Sequence, residues 1–155
     1  MKKRIAWLPY LVFIGASLLV GGAAGLLSME GIQAYMASPK PALVPPAWVF
    51  PVVWTTLYVL MGISAALVYR TPPVGGKKEL FPFYLQLFLN FFWPLLFFEF
   101  GLEIAAFVLI LCLLATVIWM CVAFFTVRPV AGWLQLPYVL WLCFAAYLNL
   151  ASILL

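Results

Sequence analysis

Five apolar runs, none with Asp, Glu, Lys or Arg in its interior, take up most of this 155-residue chain: Ile5 to Leu27, Ala47 to Tyr69, Leu80 to Phe98, Ile104 to Val127 and Trp133 to Leu155. A bilayer span needs about 20 apolar residues, which every run supplies. Lipid offers no partner to an exposed peptide group, so each run is expected to be a helix. The expected fold is therefore all-α, a five transmembrane helix bundle filling residues 1–155 as one domain. With 68% hydrophobic and only 8% charged residues, a water-soluble globular fold is excluded.

The composition also removes whole classes of chemistry. There is no histidine and no aspartate, which rules out imidazole-based zinc sites, histidine-ligated haem and triads with an imidazole base. Without an ionisable side chain inside a span, a proton-coupled carrier using a buried carboxylate is not expected either. Cys112, Cys121 and Cys143 lie in apolar runs without a C-x-x-C pair, and read as buried structural thiols rather than a metal or redox site. The net charge of +4 comes from eight basic residues that form no patch, so no nucleic-acid partner is expected.

Those basic residues set an expected orientation. A cytoplasmic N-terminus puts Lys2, Lys3, Arg4, Arg70, Lys77, Lys78 and Arg128 inside and leaves only Lys40 outside. The C-terminus then faces outward. Lys2-Lys3-Arg4 before an apolar run ending in Gly22-Ala23-Ala24 also fits a cleaved leader. The length of that run and the spacing of Ser17, Gly21 and Gly25, every fourth residue, favour a retained helix that packs closely on a neighbour or on a second copy.

Prolines and glycines mark the connections: Pro45-Pro46, Pro72-Pro73, Gly75-Gly76 and Pro129. Pro51, Pro94 and Pro137 lie in or near the starts of spans, where neighbours can resatisfy the backbone. The longest connection, residues 28–46, carries Ile32, Tyr35 and Met36 on one helical face, predicting a short interfacial helix that ends at Pro39-Lys40-Pro41 and acts as a lid.

Three spans repeat one pattern of aromatic and polar residues along a face. Span two has Trp54, Tyr58 and Gly62; span three has Gln86, Asn90, Trp93 and Phe97; span five has Tyr138, Trp141, Ala145 and Asn149. At about 1.5 Å per residue, Trp54, Asn90 and Ala145 lie roughly 10 to 15 Å below the outer ends of their helices. The stripes can meet beneath the 28–46 segment. Such a ring suits a flat, largely apolar ligand, while interhelical hydrogen bonding by Gln86, Asn90 and Asn149 is the plainer use of the same residues.

Lys40-Pro41-x-x-x-Pro45-Pro46-x-Trp48-x-Phe50-x-x-Val53-Trp54-x-x-Leu57-Tyr58-x-x-Met61-Gly62 resembles the signature of the tryptophan-rich sensory protein, or translocator protein and peripheral benzodiazepine receptor, family. Gln86-Leu87-x-Leu89-Asn90-x-x-Trp93-x-x-x-Phe97-Phe98 and Pro137-Tyr138-x-x-Trp141-x-x-Phe144-Ala145-x-x-Leu148-Asn149 resemble its third- and fifth-helix motifs. The resemblance implies a five-helix membrane protein, often a homodimer, that binds protoporphyrin IX or haem as ligand with no required cofactor. It places the pocket on Tyr35, Trp54, Tyr58, Asn90, Trp93, Trp141 and Ala145. For some bacterial members it also implies light-dependent porphyrin degradation involving the tryptophans at Trp54 and Trp141.

The chain departs from the pattern at Leu43, where many relatives have tryptophan, and ends without the C-terminal sterol motif. A bacterial inner-membrane protein with poor sterol affinity is the resulting expectation. The functional alternatives are a transporter of porphyrins or other amphiphiles and a scaffold that takes no ligand.

Overall fold

The computed structural model describes residues 5–73 and 77–155. Lys2, Lys3, Arg4 and Gly75-Gly76 lie outside the described residues.

The chain folds into α1 (Leu8–Leu27), α2 (Met29–Ala37), α3 (Val49–Arg70), α4 (Phe81–Pro94), α5 (Glu103–Val127), α6 (Pro129–Trp133) and α7 (Leu136–Leu154). Among the described residues, five helical stretches are long and apolar enough to cross a membrane. Pro9, Pro82, Pro129 and Pro137 all sit in the first two positions of their helices, where a missing N–H breaks no intrahelical bond. The last candidate span, Pro129–Leu154, takes in α6 and α7, with a turn at Leu134 and Gln135 between them.

Around the bundle the neighbours run α3, α1, α4, α5, α7. Helix α5 carries the main seam: Ala106, Ile110, Leu113, Val117, Met120 and Phe124 are buried at alternating steps of four and three. Helix α1 meets α3 at backbone distance. A β-carbon on Gly62 would strike the backbone of Ile14, and one on Gly21 would strike the ring of Tyr58. Gly21 of α1 thus serves a contact within the chain, whereas a β-carbon on Gly25 would meet nothing within 4 Å. Ser64 Oγ donates to the Ala131 carbonyl at 2.6 Å, tying α6 across the end of α3. At the same end Arg70 Nη1 reaches the Tyr10 hydroxyl at 3.3 Å, with the guanidinium 5.5 Å from that ring's centre.

The structure corrects two readings. Cys121 is buried, but Cys112 and Cys143 are exposed on the outer face of the bundle, because their helices are apolar all round and hydropathy does not tell core from lipid. Nor is the third span one regular helix. Pro94 is followed by a π-turn, Leu95–Glu99, in which the Phe100 N–H donates to the Leu95 carbonyl at 2.9 Å. Gly101, at φ 64°, then reverses the chain into α5.

Candidate functional site

A cavity of about 670 Å³ opens between α1, α3, α4 and α7 beneath α2, within the range of small-molecule sites. Its walls are mainly aromatic. Trp54 stacks on Tyr58 with ring centres 5.7 Å apart, and Trp141 stands perpendicular to Trp54 at 6.3 Å. Phe50 meets Trp141 edge to face at 5.9 Å. On α4, Trp93 stacks on Phe97 at 5.3 Å.

The lid helix is α2, and the π-turn is what docks it. Tyr35 packs edge-on to Phe97 and Phe98, and its hydroxyl lies 3.4 Å from Ser152 Oγ on α7. Gly31 sits so close to the Phe98 carbonyl that no β-carbon fits between. The Gly31 N–H donates to Glu99 Oε2 at 3.1 Å, so a carboxylate from the π-turn caps the first turn of α2. Ser28, in the position that usually caps a helix, makes no such bond, and its Oγ is buried without a partner among the described residues. At the other end Ser38 Oγ and Lys40 Nζ close the helix on the Tyr35 and Met36 carbonyls. Leu43 then turns at φ 71° with its side chain exposed, a backbone strained by roughly 1–2 kcal/mol. Tyr147 donates to the Ala42 carbonyl at 3.0 Å and anchors this strand of the lid to α7.

Polar groups behind the aromatic wall are bonded to one another. Tyr58 donates to Asn90 Oδ1 at 3.1 Å, Asn90 Nδ2 to the Tyr138 hydroxyl at 2.6 Å, and Tyr138 to Gln86 Oε1 at 2.8 Å. A second chain runs from Trp93 Nε1 to Asn149 Oδ1 at 3.0 Å and from Asn149 Nδ2 to the Glu103 carbonyl at 2.9 Å. These bonds span α3, α4, α5 and α7. They fix the rings that face the cavity.

Of the residues proposed from sequence, Tyr35, Trp54, Tyr58, Asn90, Trp93, Trp141 and Ala145 line the cavity. Gln86 and Asn149 do not. Both are fully buried behind it: Asn149 accepts from Trp93 of the wall, while Gln86 accepts from Tyr138, which itself bonds Asn90. Absent from the proposed set were Gly21 and Gly25 of α1, Phe50, Pro51 and Thr55 of α3, and Leu148 of α7. The spacing of the glycines was visible, but reads equally as helix packing. Trp141 Nε1 is buried without a partner among the described residues. No cluster of three or more metal-ligating side chains occurs among the described residues.

A sequence profile of the TspO/MBR family matches residues 8–155. This chain belongs to that family. Tryptophan-rich protein TspO of Chlorobaculum tepidum is 36% identical over 155 residues, covering 96% of this chain and 95% of that one. Protein CrtK of Rhodobacter capsulatus is 39% identical, over 83% and 81% of the two chains. The human translocator protein is 35% identical, over 92% and 87%. Membership and five apolar helices together make the chain an integral membrane protein of the TspO/MBR type.

Proposed function

We propose that this family member is a membrane receptor for tetrapyrroles, with protoporphyrin IX or haem held in the cavity in the corner between Trp54 and Trp141, stacked on one indole and edge-on to the other. The observation that carries the reading is the pair of perpendicular indoles 6.3 Å apart, walling a cavity roofed by Tyr35. Large aromatic faces bind a planar macrocycle by stacking and burial, and the walls exclude water from it. The chain has no imidazole to offer an iron centre, so metal-free porphyrin is expected to bind at least as well as haem. A tryptophan stacked on an illuminated macrocycle is also an available electron donor, which is the role proposed for Trp54 and Trp141 in light-dependent degradation. The proposed setting is a bacterial inner membrane with the N-terminus in the cytoplasm.

Titration of protoporphyrin IX against intrinsic tryptophan fluorescence in detergent tests the assignment. Trp54→Phe with Trp141→Phe should weaken binding by about 1–3 kcal/mol, or roughly five- to 150-fold, by analogy with single base-on-aromatic stacks. The fold should survive, since phenylalanine at position 141 removes a buried donor that has no partner. Unchanged affinity in the double variant would remove the pocket from the proposal.

A further inference from the structure

Two edges of the cavity reach the outside of the bundle at membrane depth. On α1 they are Leu18, Gly22 and Leu26, four residues apart, and on α3 Pro51 and Thr55, also four apart; all five line the cavity and all five are exposed. The two helices meet backbone to backbone where Gly62 lies against Ile14, one turn before Leu18, and Gly21, next to Gly22, packs against the Tyr58 ring. A β-carbon at Gly22 or Gly25 would meet nothing within 4 Å, so glycine leaves a gap where a side chain on α1 would close it. The rim lies within two spans that carry no charged side chain at this level. In a bilayer such a rim would lie against hydrocarbon rather than water.

We infer that the cavity is filled sideways, from the hydrocarbon of the outer leaflet, through a cleft bounded by Leu18 and Gly22 on α1 and Pro51 and Thr55 on α3. The lid has no need to open for this. Met29 and Gln33 of α2 only roof the cleft, while Glu99, Tyr35 and Tyr147 hold the lid in place. The ligand class that follows is an amphiphile already dissolved in the bilayer. Its apolar body passes between the helices, and its polar edge stays at the interface beside the lid. This rests on the cavity being a ligand site but not on which ligand it takes.

The test uses no porphyrin, so its result is separate from that of the titration. The full-length protein carrying Cys112→Ala, Cys121→Ala, Cys143→Ala and Ala145→Cys is placed in lipid nanodiscs, leaving one thiol inside the cavity. Labelling is followed with an uncharged lipid-soluble maleimide and with a charged, membrane-impermeant one. The lipid-soluble reagent should be faster once both rates are normalised to a free thiol. Gly22→Trp, which fills the gap from α1, should slow it about tenfold or more, and Thr55→Trp should do the same from α3, well outside the scatter of a surface substitution. Gly15→Trp also has open space around it but lies away from the cavity, and should leave the rate alone. The inference is overturned if the charged reagent labels as fast, or if both occluding variants leave the lipid-soluble rate unchanged while retaining the parent's melting temperature.

Discussion

Asn90 and Gln135 are both buried amides, at 1% and 0% exposure, yet they differ in what surrounds them. Asn90 joins two tyrosine hydroxyls from different helices. Asn90→Leu leaves the Tyr58 hydroxyl without its acceptor and removes the donor to Tyr138, which keeps Gln86, and should destabilise the fold by about 2–3 kcal/mol. Neither Gln135 Oε1 nor Gln135 Nε2 has a partner among the described residues, so Gln135→Met should be neutral or stabilising by about 1 kcal/mol. Denaturation in detergent, followed by circular dichroism, measures both. At this scale the sequence was informative about faces and poor on depth. A four-residue step places Gln86, Asn90 and Trp93 on one side of α4, but only the neighbouring helices decide that Asn90 and Trp93 reach the cavity while Gln86 stops behind it. Tyr138 shows the same effect, since it stands on the stripe of α7 and proves to be the hub of the hydrogen-bond chain.

The elements that position the site owe more to interruptions than to regular helix. Hydropathy alone located five spans because lipid forces each to satisfy its own backbone. It could not reveal the π-turn after Pro94, whose wider loop is as apolar as the helix it replaces. Yet that turn aims Phe97, Phe98 and Glu99 at the lid. Glu99→Ala should leave the five long helices intact while freeing the first turn of α2, where a charge-assisted bond to a backbone N–H is worth about 1 kcal/mol near a surface. Hydrogen exchange should then quicken at Gly31 and Ile32 by roughly fivefold, with the amides of α5 unchanged. Loss of protection throughout the chain would instead make Glu99 part of the global fold. The lid itself was legible, because Ile32, Tyr35 and Met36 repeat at helical spacing, and all three line the cavity.

For the molecule as a whole, the receptor and the scaffold make opposite predictions about heat. A ligand that binds only the folded state at a free concentration 100 times its dissociation constant adds about 2.7 kcal/mol of stability. Protoporphyrin IX should therefore raise the melting temperature of the parent, and raise it less in the Trp54→Phe, Trp141→Phe variant. A scaffold would show no shift in either. Between α3 and α7 an outer groove lined by Val52, Leu60, Leu140 and Phe144 backs onto Trp141. Trp141 is thus the partition between the cavity and that groove. Packing at this level depends on which helices end up adjacent, and no local pattern in the chain encodes it.

The tight crossing of α1 and α3 at Gly62 and Ile14, with α6 strapped across the same end by Ser64 and Ala131, has a thermodynamic consequence. If the cleft inferred above is the mouth of the cavity and this crossing closes its other end, the cavity is a cup that equilibrates with one reservoir only. Repeated filling and emptying moves nothing from one side to the other, whatever the gradient. What such a vessel does is hold its contents at an occupancy set by their local concentration, shielded from everything else dissolved nearby. On the receptor reading proposed above, vectorial movement would require prising apart the Gly62 and Ile14 backbones, so a receptor filled through that cleft would act as a gauge or a buffer rather than a pump.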